Sequence, residues 1–453
     1  MGKIILEKII NGSLKIAKEE ILLENNFVKR QLNNGIKIFA QPTKKYTTTT
    51  VKVFIHQDLE DDIVTKTSLL PFVLKRGCMR FPSEQKMRVY LEELYGTGFG
   101  VDIIKKGERH ILVFEMDIVN EKFLPDKNNI LKDGLSLLRD IILDPFIENG
   151  GFSKDYMNQE KDILKREIMS LFNNKMQYAV ERCFQEMCRD ERYSLYKYGK
   201  IEKLGEIDEK NLYEYYLDLV NSNPIDIYIM GDIDLDKDLS IIEEIFDFSR
   251  GKVKSIKPTF VNKEVTEERV FFERQKVEQG KLSLGLRTYT TYSDPDYYPF
   301  LMANGILGGG PHSKLFQNVR EKASLAYYVF SRIEKTKGLM LITSGIEVDN
   351  YEKALNIIKK QIDDLKSGNI TDYEIDSTRK MLINAFKEAS DNPSLVISLY
   401  LDGYINNREE SIEDMIRQIQ TVNKEEIIKV SQKLKLDTIY FLTNKEVGKA
   451  GKQ

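Results

Sequence analysis

The sequence predicts an α+β protein made of two copies of one unit, each an antiparallel sheet covered by helices. Three observations carry that expectation: a long internal repeat, strands that alternate residue by residue, and helices with one apolar stripe. The repeat has a period of about 225 residues, far longer than solenoid repeats, so each copy is a domain rather than a blade or a turn.

The elements follow in order. The segment KKGERHILVFEMDI leaves a glycine turn and alternates, with Leu112, Phe114, Met116 and Ile118 on one face; EKTKGLMLITSGIEV takes its place in the second copy. A helix comes next, with Leu131, Leu135, Leu138 and Ile142 on one stripe, matched by Leu355, Ile358, Ile362 and Leu365. Ser153 then stands at a helix start, and Thr371 with Glu374 forms the T-x-x-E capping box at the matching point. A long charged helix follows each cap. Each copy closes with a helix and a buried strand, IDEKNLYEYYLDLVNSNPIDIYIMGDID and TVNKEEIIKVSQKLKLDTIYFLTNK. The division is a charged lead-in over 1–26, a first domain over 27–247, a linker over 248–266 and a second domain over 267–446. The linker SRGKVKSIKPTFVNKEVTE is polar, holds Pro258 and lacks an apolar period.

Composition narrows the function. Lys+Arg 68 against Asp+Glu 71 gives a net charge of −3, which argues against a nucleic-acid partner. No apolar run reaches the roughly 18–20 residues of a membrane span. The first 20 residues interleave charges with apolar residues and show no secretory h-region or myristoylation pattern. Cys78, Cys183 and Cys188 follow no CxxC spacing and read as reduced thiols of a cytoplasmic protein.

The most informative stretch is GILGGGPHSKLFQNVREKASLAYYV, residues 305–329. Its glycines permit unusual backbone angles and close approach, yet no phosphate-binding loop pattern surrounds them. Gly308, Gly309 and Gly310 read as a tight helix entry. His312 is a loop residue facing either solvent or substrate. Arg320 offers five hydrogen-bond donors and Tyr327 one phenolic donor. Their plainer reading is a surface pair with Glu321 and a core tyrosine, with Tyr328 the neighbouring alternative. The other histidines carry no metal-ligand spacing: His56 ends the apolar strand VKVFIH and reads as a sheet-edge or capping residue, and His110 begins a strand and reads as exposed or cross-strand paired.

LFQNVREKASLAYYV resembles the L-F-x-x-(L)-R-E-K-x-G-L-A-Y-x-V motif of the pitrilysin/insulinase-type zinc peptidases (inverzincins), which include the mitochondrial processing peptidases. Ser324 stands where that family usually has Gly. The resemblance spans about residues 27–445, and LEELYGTGFGVDIIKKGERHILVFEM suggests the YfmF-type bacterial subfamily of non-catalytic members. It implies a clam-shell arrangement of two homologous domains. It also implies a metal helix at TSLLPFVLKRGC, where Ser68, Pro71 and Phe72 occupy the positions of the inverted H-x-x-E-H. Glu167, in EKDILKREI, occupies the third-ligand position. Ser is a poor zinc ligand, and Pro and Phe offer no side-chain donor atom. The implied protein is therefore a zinc-less pseudo-peptidase with no metal or cofactor of its own, inactive alone. Its implied partner is a homologous chain that carries H-x-x-E-H and the zinc, with a homodimer as the fallback. In that reading Gly308–Gly310 and His312 contact peptide substrate, while Arg320 and Tyr327 complete the partner's site. The alternative is a peptidase-like scaffold or peptide-binding module without a role in catalysis. A third reading, an enzyme with an unrelated site, lacks a Ser/His or Cys/His pair that stands out.

Overall fold

A computed structural model describes residues 27–125 and 129–445; the lead-in over 1–26 lies outside the described residues. Chain order in the first domain is β1 (Val28–Gln31), β2 (Lys37–Pro42), β3 (Thr48–Asp58), α1 (Val64–Leu74), α2 (Glu84–Glu93), β4 (Gly98–Lys106), β5 (Arg109–Val119) and α3 (Ile130–Leu143). A short hairpin, β6 (Ile147–Glu148) and β7 (Gly151–Phe152), leads to α4 (Lys154–Asn173), α5 (Lys175–Met187), α6 (Ile201–Leu204), α7 (Glu209–Ser222), β8 (Ile225–Gly231) and α8 (Leu235–Phe246). The second domain runs β9 (Arg269–Arg274), β10 (Gly280–Arg287), α9 (Tyr297–Gly308), a π-helical turn (Phe316–Lys322), β11 (Ala326–Glu334) and β12 (Leu339–Ile346). It ends with α10 (Tyr351–Lys366), α11 (Asp372–Ala389), α12 (Pro393–Ile405), α13 (Ile412–Thr421), α14 (Lys424–Ser431) and β13 (Lys435–Thr443).

The sheet orders β1-β2-β8-β3-β5-β4 and β9-β13-β10-β12-β11 are the same order apart from the extra edge strand β1, so the repeat is a repeat of topology. The pairs are antiparallel with one exception in each sheet: β2 lies parallel to β8, and β9 parallel to β13. Both sheets are thus mixed at the same place. Thr371 and Glu374 form the expected capping box at the start of α11, whereas Ser153 sits at the N-cap of α4 with its side chain uninvolved.

The central strands are buried on both faces, and the reason lies in how the copies meet. On one face of the first sheet, Val51, Val53 and Ile55 of β3 with Leu112, Phe114 and Met116 of β5 pack under the domain's own helices. The alternate residues Phe54, Ile111, Val113 and Tyr228 pack against Ile397, Tyr400 and Leu401 of α12, which belongs to the second domain. The exchange is returned. Ala179, Val180, Cys183, Phe184 and Met187 of α5 cover Leu339, Leu341, Tyr440 and Leu442 on the second sheet. Helices therefore flank both faces of each sheet, and the second layer is lent by the other domain.

Ion pairs close the junction. The β4–β5 turn at Gly107 (φ +55°) meets the β11–β12 turn at Thr336 and Gly338 (φ +68°), left-handed positions that suit glycine. Lys337, wholly buried, pairs with Glu108 and with Glu191 (2.7 Å). Arg287, 1% exposed, pairs with Glu191 at 2.6 Å and Asp437 at 2.9 Å. Lys106 and Lys335, one from each domain, both bind Asp402 at 2.8 Å. Residues 247–268 contain no helix or strand and run along this junction; the Lys257 N–H donates to Asp58, and the Thr259 hydroxyl accepts from Glu108 N–H.

The burial of two histidines departs from expectation. His56 lies in β3 at the centre of the sheet, fully buried, with Nε2 2.9 Å from Asp226 and Nδ1 3.3 Å from Arg109. His110 is also fully buried, and burial pushes its pKa down to about 3. Strand order placed them inside: β3, which holds His56, lies between β8 and β5, and β5, which holds His110, lies between β3 and β4.

Candidate functional site

The helix that the resemblance implies as a metal helix is α1. Ser68 is fully buried, and its hydroxyl lies 2.7 Å from the Val64 carbonyl and 2.6 Å from the Lys197 carbonyl. Thr65 accepts from Lys200 N–H, so the segment 197–200 is seated on the first turns of the helix. Pro71 is buried inside α1 and lacks the N–H that would continue the helical ladder. Phe72 packs against the first core. None of the three presents a metal-ligating atom. Glu167 stands exposed on α4, and among the described residues no three His, Cys, Asp or Glu side chains are grouped to hold a metal. The arrangement does not fit zinc.

The carboxylate that α4 does commit is Glu160. It is buried against Arg76, which also reaches Glu84 at 3.3 Å, so an ion pair clamps α4 to the end of α1. Sequence reading missed this pair, because each residue alone looks like a solvated helix position.

The glycine segment is the end of α9. A Cβ on Gly308 would lie 2.5 Å from the Ser331 nitrogen, and one on Gly309 would lie 2.7 Å from the Gly305 Cα. Gly308 is buried, Gly309 exposed and Gly310 half-buried. These glycines permit close packing of α9 on β11 and α11. His312 is half-buried, with Nε2 2.8 Å from the Thr378 hydroxyl of α11.

Arg320 and Tyr327 are surface residues. Arg320 projects from the π-helical turn, its guanidinium 4.6 Å from the centre of the Phe316 ring and 3.9 Å from Glu321. The turn closes through Leu325 N–H to the Val319 carbonyl and through Ser324, whose φ of +53° is left-handed. That angle explains the glycine of the resembling motif, since a Cβ is strained there. Tyr327 follows at a β-bulge: the register passes from Ala326↔Ile346 to Tyr328↔Gly345, and Tyr327 is the extra residue. It is 58% exposed, and its hydroxyl donates to Glu347 at 2.7 Å, which raises the phenol pKa. Tyr328 instead lies over Gly345, half-buried, and is the packing residue. Tyr327 lies at the start of β11, and the other end of that strand leads to the turn that meets Gly107; Arg320 lies on the π-helical turn that precedes β11.

The comparisons place this geometry in a family. A model described as "Peptidase M16 inactive domain" matches residues 206–382. The "Probable inactive metalloprotease YmfF" of Bacillus subtilis is 39% identical over 91% of this chain and 97% of its own length. The chain belongs to the M16 peptidase family. M16 relatives at greater distance include the "Uncharacterized zinc protease YmxG" of the same organism, 21% identical over 67% of this chain and 74% of its own. Among solved structures, a conserved protein from Enterococcus faecalis V583 superposes with a TM-score of 0.85 at 30% identity, over 93% of this chain and all of that one. An M16 inactive-domain structure from Pseudomonas fluorescens gives 0.77 at 17% identity, over 92% of this chain and 97% of that one, and supports the fold alone. This chain is an M16 peptidase-like protein. Among the described residues no helix is long and apolar enough to cross a membrane.

Proposed function

We propose that this M16 chain is the non-catalytic subunit of a cytoplasmic, heterodimeric zinc peptidase. In this reading a homologous partner carries H-x-x-E-H and the zinc, and this chain forms half of the clam-shell chamber. It binds peptide and completes the partner's site with Arg320 and Tyr327. The observation that carries the reading is their exposure: Arg320 and Tyr327 both stand on the surface, on either side of the Ser324 turn, on a chain whose implied metal helix holds no zinc-ligand set. Donors aimed at the oxyanion that develops in amide hydrolysis contribute about 2.7–4 kcal/mol each in such sites. Of the stretch leading to Arg320, Gly309 is exposed and Gly310 and His312 are half-buried, and these would meet the same peptide, whereas Gly308 packs α9 on β11.

The alternative is a scaffold without a role in catalysis. It is favoured by the occupied state of both side chains, Arg320 stacked on Phe316 and Tyr327 bonded to Glu347. Sedimentation of this chain mixed with a homologous H-x-x-E-H chain separates the readings. A stable 1:1 complex at micromolar concentration, with zinc confined to the partner, is expected of an interface burying about 1,200–2,000 Å². Independent sedimentation of the two chains contradicts the subunit assignment.

A further inference from the structure

We propose that Glu347 parks the Tyr327 hydroxyl in the free chain, so that Tyr327 becomes a donor to peptide only when this bond is released. The inference rests on the function proposed above and names a control on that site.

A phenol has one proton. Here it lies on the 2.7 Å bond to Glu347 Oε1, and the same proton cannot reach a substrate oxygen at the same time. Gln279 also faces the hydroxyl, so the oxygen is engaged from a second side. The geometry is local and specific. Ala326 pairs with Ile346, so the bulged Tyr327 and the residue that follows β12, Glu347, are neighbours at the sheet edge. Glu347 stands at the N-cap of the short helix Val348–Asn350, yet its side chain caps nothing there and turns to Tyr327 instead. Both side chains are exposed, so the bond is no part of the core and can open without unpacking it. An arriving peptide competes with one solvent-exposed hydrogen bond.

The test uses the assembled complex with the homologous H-x-x-E-H chain and an extended, unstructured peptide. Glu347→Ala frees the hydroxyl and is expected to raise kcat about two- to tenfold, the worth of one exposed hydrogen bond. Glu347→Gln, a neutral and weaker acceptor, falls between Glu347→Ala and wild type. Tyr327→Phe/Glu347→Ala matches Tyr327→Phe, because the gain needs the hydroxyl. In the isolated chain, the ultraviolet difference titration of wild type against Tyr327→Phe reports this phenol alone. Its pKa falls toward the ordinary value in Glu347→Ala. A slow Tyr327→Phe complex beside a Glu347→Ala complex at or below the wild-type rate overturns the parking role and leaves the proposed function standing. An unchanged phenol titration in Glu347→Ala overturns it as well. Tyr327→Phe at the wild-type rate removes the proposed function itself.

Discussion

Lys337→Met tests whether the two domains act as one rigid body. The substitution keeps most of the side-chain volume and removes the ammonium. Lys337 is wholly buried, and its two carboxylate partners, Glu108 and Glu191, are 2% and 3% exposed. Arg287 remains on Glu191, and Arg192 remains on Glu108 at 3.1 Å, but each carboxylate loses its shared cation and the Phe260 carbonyl loses its donor. Breaking a buried pair from one side costs about 3–5 kcal/mol, because the charges left behind stay out of water. At about 2.1 cal/mol/K of unfolding entropy per residue, 453 residues give about 0.95 kcal/mol/K, so Tm falls by about 3–5 °C. Scanning calorimetry at pH 7 measures it. The reciprocal packing of α5 and α12 predicts that both domains still melt in one transition. A Tm within about 1 °C of wild type in Lys337→Met refutes the claim that this ion network locks the junction.

Two further outcomes follow from single residues. Ser324→Gly relieves a left-handed backbone and should raise the urea midpoint, whereas Ser324→Val adds β-branching there and should lower it, with a gap of about 1–2 kcal/mol between them. Stability should fall as pH drops below about 6.5: burial holds His110 neutral in the folded state down to about 3, so the unfolded chain binds the proton first. Burial lowers the His56 pKa too, against the pull of Asp226, and adds in the same direction. His110→Asn should flatten the slope between pH 6.5 and 5 in denaturant titrations, and an unchanged slope counts against the burial argument.

Much of the fold is legible in the sequence because local patterns are enough to reveal it. Leu112, Phe114, Met116 and Ile118 all enter the first core, and Leu355, Ile358, Ile362 and Leu365 the second. The capping box at Thr371 depends on residues three apart. The exchange of α5 and α12 depends on partners some two hundred residues away, and no period reports it. Uniform apolarity in PSLVISLYLDGYI is the one trace, since a helix covering another domain's sheet while touching its own is apolar all round. Charges behave alike. Arg287 ends an apolar strand and Lys337 sits in a turn, and each reads as solvated until the fold brings Glu191 to both. The burial of His56 and His110 is hidden for the same reason, as strand order decides which strand is central; of the two expectations for His110, the cross-strand position between Gln57 and Lys105 is the one observed. At the candidate site, the residue types at the implied metal positions, Ser68, Pro71 and Phe72, are readable position by position. The Tyr327–Glu347 bond is not, because it depends on a bulge in register.

The most direct measurement is single-turnover peptide hydrolysis by the heterodimer, with Arg320→Ala and Tyr327→Phe made in this chain only. The assembled complexes should keep wild-type sedimentation, melting and partner zinc. Cleavage by Arg320→Ala should slow by about 10²–10³-fold, as for one lost oxyanion donor, and Tyr327→Phe should slow with its ring packing intact. Complexes of both variants that assemble and cleave at the wild-type rate contradict the cross-subunit site and leave a peptidase-like scaffold.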